Sequence, residues 1–213
     1  MSWATHHWAE IWSLAETHIY LSLLPVLFGL VLSIPLGWLA TRAAWLRGTF
    51  LSVSTVLYTI PSLALIVVMP IILGTNILDP LNMIVTLTIY TVALLVRSVA
   101  DALAAVPEQV IAAATAMGYR PLRRFLTVEL PLAIPVLVAG LRVATVSNIS
   151  LASVGALIGL GGLGQLFTDG FERDFATEIT VGIIACVVLA VVADVILVVL
   201  GRLATPWTRA VTR

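Results

Sequence analysis

Five apolar stretches of membrane length run along the chain, at about Ile19–Thr41, Thr49–Leu73, Leu81–Val99, Val136–Leu160 and Ile179–Leu200. A helix crossing the hydrocarbon core needs about 20 consecutive apolar residues, and each stretch meets that length. The pattern predicts an all-α integral membrane protein, with five transmembrane helices in a single domain over residues 1–213. Ahead of the first span, Trp8, Ile11, Trp12 and Ala15 fall on one helical face, as in an amphipathic helix lying in the membrane interface. That leading segment has no basic residue, so the first span reads as a retained helix rather than a cleaved signal.

Composition sharpens this picture. Of 213 residues, 61% are hydrophobic and 10% charged, and the mean hydropathy is +1.11, whereas a soluble domain is about 25% charged. What lies between the spans is too short to fold as a separate catalytic domain, which excludes a soluble enzyme. All eleven basic residues are arginine. A Walker-type nucleotide loop needs a lysine at the phosphates, so this polypeptide is not such an ATPase by itself. A formal net charge of zero gives no case for a nucleic-acid partner. The single cysteine, Cys186, excludes an intrachain disulfide framework and reads as a small packed hydrophobe. His6, His7 and His18 lack a Cys, Asp or Glu at ligand spacing. They read as interfacial polar residues, with no metal site.

Arginine placement predicts orientation, because basic residues collect on the cytoplasmic side. Arg42 and Arg47 follow span one; Arg97, Arg120, Arg123, Arg124 and Arg142 cluster between the bodies of spans three and four; Arg202, Arg209 and Arg213 follow span five. The loop after span four has Asp169, Glu172, Asp174 and Glu178 against Arg173 alone. Ten of the eleven arginines therefore alternate onto one side, placing the N-terminus outside and the C-terminus in the cytoplasm. Asp194, the one acid well inside a span, calls for a partner; Arg97 and Arg142 are the candidates for a structural ion pair.

The stretch Pro107–Pro131 is the longest connection and has its own helical grammar. Pro107 suits a helix start, Glu108 and Gln109 complement the positive end of the dipole, and Gly118 followed by Pro121 closes the helix. Val110, Ala113, Ala114 and Met117 recur at helical spacing and predict an exposed apolar face suited to a groove on a partner. Leu122, Phe125 and Leu126 continue the theme before Leu130 and Pro131.

The run Ala112-Ala113-Ala114-Thr115-Ala116-Met117-Gly118, then Val128-Glu129-Leu130-Pro131, resembles the EAA loop of ABC importer permeases. That pattern is Glu-Ala-Ala, three residues, Gly, nine residues, Ile, one residue, Leu-Pro. Ala113, Ala114, Gly118, Leu130 and Pro131 match, Val128 replaces Ile, and Ala112 replaces Glu, with Glu108 one turn earlier as a candidate substitute. Three further stretches, Thr17–Leu23, Thr59–Leu65 and Val128–Arg142, look like the glycine betaine/carnitine/choline (osmoprotectant) branch, and methionine and other amino-acid importers share parts of them. The resemblance implies a type I importer permease fold and ATP-driven alternating access. It implies a second permease subunit (identical or homologous) and two ATP-binding subunits that hold ATP and magnesium, this chain binding no cofactor. An extracytoplasmic substrate-binding protein and the lipid of a prokaryotic plasma membrane complete the assembly. In this scheme the loop's Glu108, Val110, Ala113, Ala114, Met117, Gly118, Leu130 and Pro131 couple to the ATPase.

Gly159-Leu160-Gly161-Gly162-Leu163-Gly164 is literally G-x-G-x-x-G but follows a membrane span, where the dinucleotide fingerprint has no meaning; it reads as a glycine break ending span four. Thr145, Asn148, Ala152, Gly155 and Gly159 form a small-residue face that suits close helix packing, including packing between permease subunits. Ser147, Asn148 and Ser150 are candidates to face the aqueous pathway. So are Pro61 and Ser62 of a kinked span two, which also carries Pro70, with Tyr58 and Tyr90 as cation–π partners for a quaternary ammonium. Two rival readings are an ion-gradient transporter, which calls for titratable midplane groups and internal repeats, and a scaffold without transport.

Overall fold

The structure, a computed structural model, describes residues 2–207. Arg209 and Arg213, counted above for orientation, lie outside the described residues. Ten α-helices follow in order: α1 (Ser2–His6), α2 (Trp8–Ala40), α3 (Ala44–Thr59), α4 (Ser62–Leu73), α5 (Pro80–Ala104), α6 (Glu108–Ala116), α7 (Pro121–Arg124), α8 (Leu130–Val154), α9 (Gln165–Glu172) and α10 (Ala176–Ala204). A π turn (Phe125–Glu129) joins α7 to α8, and a 3₁₀ turn (Gly155–Ile158) follows α8.

Four helices or helical runs are long and apolar enough to cross a membrane: α2, α5, α7 through the 3₁₀ turn, and α10. The fifth traverse is broken. α3 and α4 meet at 99°, so the kinked span expected over Thr49–Leu73 is two helices joined at a sharp bend. The break falls at Ile60–Pro61, not at Pro70, which stays within α4. A proline disfavours the helical conformation of the residue before it, and Ile60 is extended, with φ −66° and ψ 131°.

The amphipathic segment expected to lie in the interface is instead the first part of α2, which runs unbroken through 33 residues, about 50 Å. One side of this segment is covered: Ile11 packs on Leu163 and Leu166 while Trp8 and Trp12 stay exposed. Burying Ile11 removes the reason for the segment to turn into the membrane plane.

α5 is the central helix, packed on α2, α3, α4 and α8. Asp79 caps it by accepting the Leu81 N–H at 2.9 Å, and Pro80 takes the first position, where no donor is needed. α2 crosses α5 closely because Gly29 faces Thr91, whose side chain a Cβ would overlap. Apolar layers fill the bundle. One joins Leu21, Ile66, Met83, Leu87 and Ala152; another, at the Pro107 end, joins Val99, Leu103, Val106, Phe125 and Leu137.

Candidate functional site

At the Pro107 end, α6 begins with Pro107 as its cap residue and Glu108 in its first turn. It closes at Gly118, whose φ is +81°. The Gly118 N–H donates to Thr115 O and the Tyr119 N–H to Ala114 O, the wrapping bonds of a left-handed helix end. A Cβ on Gly118 would meet nothing within 4 Å, so the backbone conformation, not space, calls for glycine.

The exposed face differs from the expected one. Ala114 is buried, at 2% exposure, because α6 packs back onto α7 and the π turn, and Val110 is half-buried. Met117, Ala113, Leu122 and Leu126 form the outward apolar surface, while Phe125 is buried, its ring centroid 4.9 Å from that of Trp38 on α2. Glu108 is exposed and makes no ion pair among the described residues. Leu130 packs into the core layer at this end. Pro131 lies in the first turn of α8. The half of the loop after Pro121 is thus no loop but the base of the span-four helix. The Leu130 N–H reaches back to Phe125 O in the wider π pattern, just before a proline that has no donor to offer.

A polar strut binds these parts together. Arg124 Nε donates to Glu129 Oε1 at 2.6 Å, and its other arm donates to Thr115 Oγ1 at 2.7 Å. Thr115 in turn donates to Ile111 O. The Arg124 and Glu129 side chains are only 18% and 10% exposed. The strut fastens α6 directly to the base of α8, bypassing the Gly118 turn. Sequence reasoning missed it because residues 124 and 129 are five apart, outside the three- and four-residue spacing of ordinary helical pairs.

Within the bundle, Asn148 is buried rather than facing a pathway: its amide donates to Thr91 Oγ1 at 2.8 Å and to Ser22 O at 3.4 Å. Thr145, Ala152 and Gly155 are likewise buried within this chain and Gly159 is exposed, so the face from Thr145 to Gly155 seals the chain's own core. Small size draws helices together wherever they meet; here α2 and α5 are close enough to fill the face. Ser150 is exposed and Ser147 half-exposed. Ser147 lines a groove of about 500 Å³ with Arg142 and Asp194. Those two form a bidentate pair, Nε to Oδ1 at 2.6 Å and the second arm to Oδ2 at 2.8 Å. Arg97 takes no part in that pair. It lies on the α3–α5 side with Tyr58.

At the broken span, Tyr58 is 47% exposed but Tyr90 only 5%. Their rings meet edge to face, 5.7 Å apart, and the Tyr90 hydroxyl donates to Ile60 O, the carbonyl orphaned by the break. Tyr90 is therefore a tie for the bend rather than an open cation site. Pro61 is exposed and Ser62 half-exposed beside it.

At the opposite end, Gly159, Gly161 and Gly162 all have φ between 77° and 83°, so the glycine run is a tight turn, as its setting implied. His18 is fully buried, not interfacial: Nε2 donates to Ile149 O at 3.0 Å and Nδ1 accepts the Leu163 N–H at 3.2 Å. The packing of α2 against α8 encloses it. The Cys186 thiol lies 3.6 Å from Ser153 Oγ.

Four membrane-length helical runs and one bent pair, with a short exposed helix fastened to the base of another, mark a multi-pass membrane protein. Residues 23–210 match the family of binding-protein-dependent transport system inner membrane components, and the chain belongs to that family as the permease component of an ABC importer. It is 33% identical over 190 residues to the glycine betaine/carnitine/choline transport system permease protein OpuCD of Bacillus subtilis, covering 89% of this chain and 82% of that one. To the choline transport system permease protein OpuBB of the same species it is 32% identical, covering 89% and 86%. To the osmoprotectant import permease protein OsmW of Salmonella typhimurium it is 34% identical, covering 91% of each. Among solved structures, an inward-facing form of the MetNI methionine ABC transporter superposes with a TM-score of 0.80 at 27% identity, covering 89% of this chain and 93% of that chain.

Proposed function

We propose that this permease carries osmoprotectants with a quaternary ammonium group, such as glycine betaine, carnitine or choline. The carrying observation is about one-third identity over nearly the whole chain to permeases named for these solutes. ATP is hydrolysed by two separate subunits that hold ATP and magnesium. A second permease subunit completes the pathway, and a binding protein on the outer face delivers the solute. The N-terminus is outside and the Pro107 end faces the cytoplasm, as the arginine placement supports.

In this reading α6 sits in a groove of the ATPase, with Ala113 and Met117 outward and Ala114 anchoring the helix from behind. Glu108 stays free for the partner. Gly118, Leu130 and Pro131 shape the turn and the helix base. Closure of the ATPase subunits moves α6, the Thr115–Arg124–Glu129 strut carries that motion into α8, and alternating access follows. Tyr58, Pro61, Ser62, Ser147 and Ser150 border the route.

The test is reconstitution of the permease with its ATPase and binding protein in proteoliposomes. ATP-driven uptake of labelled glycine betaine or choline is expected, with methionine failing to compete. Methionine uptake in place of either would replace the substrate assignment, given the likeness to the methionine transporter. Uptake that survives without ATP, driven by an ion gradient, would overturn the mechanism.

A further inference from the structure

Arg97 is exposed and makes no hydrogen bond or ion pair among the described residues, although it lies in a membrane-length helix. A guanidinium stays charged under all ordinary conditions, and one at such a position is expected to face protein, water or a charged ligand. Arg97 borders a cavity of about 280 Å³ between α3 and α5, together with Tyr58, Ser54, Thr55 and Ala93.

The geometry of α5 sets what this cavity can hold. Tyr90 and Arg97 are seven residues apart, two turns on one face and about 10 Å along the axis. Helical side chains lean toward the N-terminus, and Arg97 and Tyr58 line the same cavity. Tyr90 is pinned by its bond to Ile60 O and props the ring of Tyr58 edge-on, leaving Tyr58 half-exposed at the cavity. An aromatic face attracts a quaternary ammonium. An arginine fork binds a carboxylate and repels a bare cation.

We propose that this groove is a transit site for a zwitterion: the carboxylate pairs with Arg97 and the ammonium rests against Tyr58. The site therefore favours glycine betaine and carnitine over choline, which lacks the carboxylate. The inference rests on the quaternary ammonium reading above and assigns Arg97 the part of selecting among those solutes.

The experiment compares glycine betaine and choline uptake by the complete reconstituted transporter, each scaled to the wild-type rate for the same solute so that the binding protein's own preference cancels. In Arg97→Gln the betaine-to-choline ratio is expected to fall about tenfold, the loss of one charge-assisted contact, with choline uptake rising. Arg97→Lys should retain most of the ratio, and Tyr58→Leu should slow both solutes. An unchanged ratio in Arg97→Gln, or an equal fall for both solutes, overturns the transit site while leaving the osmoprotectant reading in place. If the wild-type transporter moves neither solute, the osmoprotectant reading fails and the transit site with it. Should Arg97→Gln fail to assemble, Arg97→Met, which keeps the stem without the charge, decides in its place: the same fall in the betaine-to-choline ratio is expected, and an unchanged ratio overturns the site.

Discussion

Removing one member of the Arg142–Asp194 pair leaves the other as a lone charge between α8 and α10, whereas removing both leaves none. Asp194→Asn and Arg142→Gln should each lower thermal stability in detergent, and the double variant should recover part of the loss. Additive losses would show that the pair is not coupled. Asn148 is a different case. Its amide is buried against Thr91 and the Ser22 carbonyl, so Asn148→Leu should cost about 1–3 kcal/mol through stranded polar partners. The measurement is the thermal midpoint, and an unchanged midpoint would remove Asn148 from the core network. The types of these residues were legible in the sequence, but the direction each faces was not. Helical spacing groups Thr145, Asn148 and Ala152 on one stripe without saying which neighbour covers it. That neighbour is set by α2 and α5, far away in the chain.

Among the elements, α6 and its strut carry the most mechanical consequence. Gly118 has a left-handed backbone that costs about 1 kcal/mol or more for a residue with a Cβ. Gly118→Asp is expected to abolish ATP-driven uptake while membrane insertion persists, and Gly118→Asn, which tolerates that backbone better, should retain part of it. Wild-type uptake in Gly118→Asp would refute the coupling assignment. Glu129→Gln keeps the shape of the strut but removes its charge, so the complex should still capture its ATPase while moving less solute per ATP hydrolysed. An unaltered ratio of solute to ATP would reduce the strut to simple packing. The existence of α6, its proline start and glycine end were all readable from residue order, because each obeys local rules. The strut and the π turn beneath it were not, since both depart from the three- and four-residue spacing those rules assume. Likewise Pro61 announced a kink, but only the structure gives its size.

At the scale of the whole molecule, the chain threads back and forth so that Arg42, Arg47 and Arg124 border one cavity at the Pro107 end, while Phe171 is exposed at 81% near the glycine turn. Single cysteines placed in a Cys186→Ser background test which end faces the cell interior. Met117→Cys should react with a membrane-impermeant reagent only from inside, and Phe171→Cys only from outside. The reverse pattern would invert the topology and leave α6 beyond the reach of any cytoplasmic motor.

The right-angled junction between α3 and α4 bears on how such a molecule moves. Bending an intact helix means tearing its own rungs, but here the chain is already creased, and the freed carbonyl rests on a phenol borrowed from α5. Rotation at this crease would sacrifice one borrowed contact instead of a ladder of them. The crease thus offers a joint that turns at small cost, two residues from the tyrosine that borders the solute's proposed path.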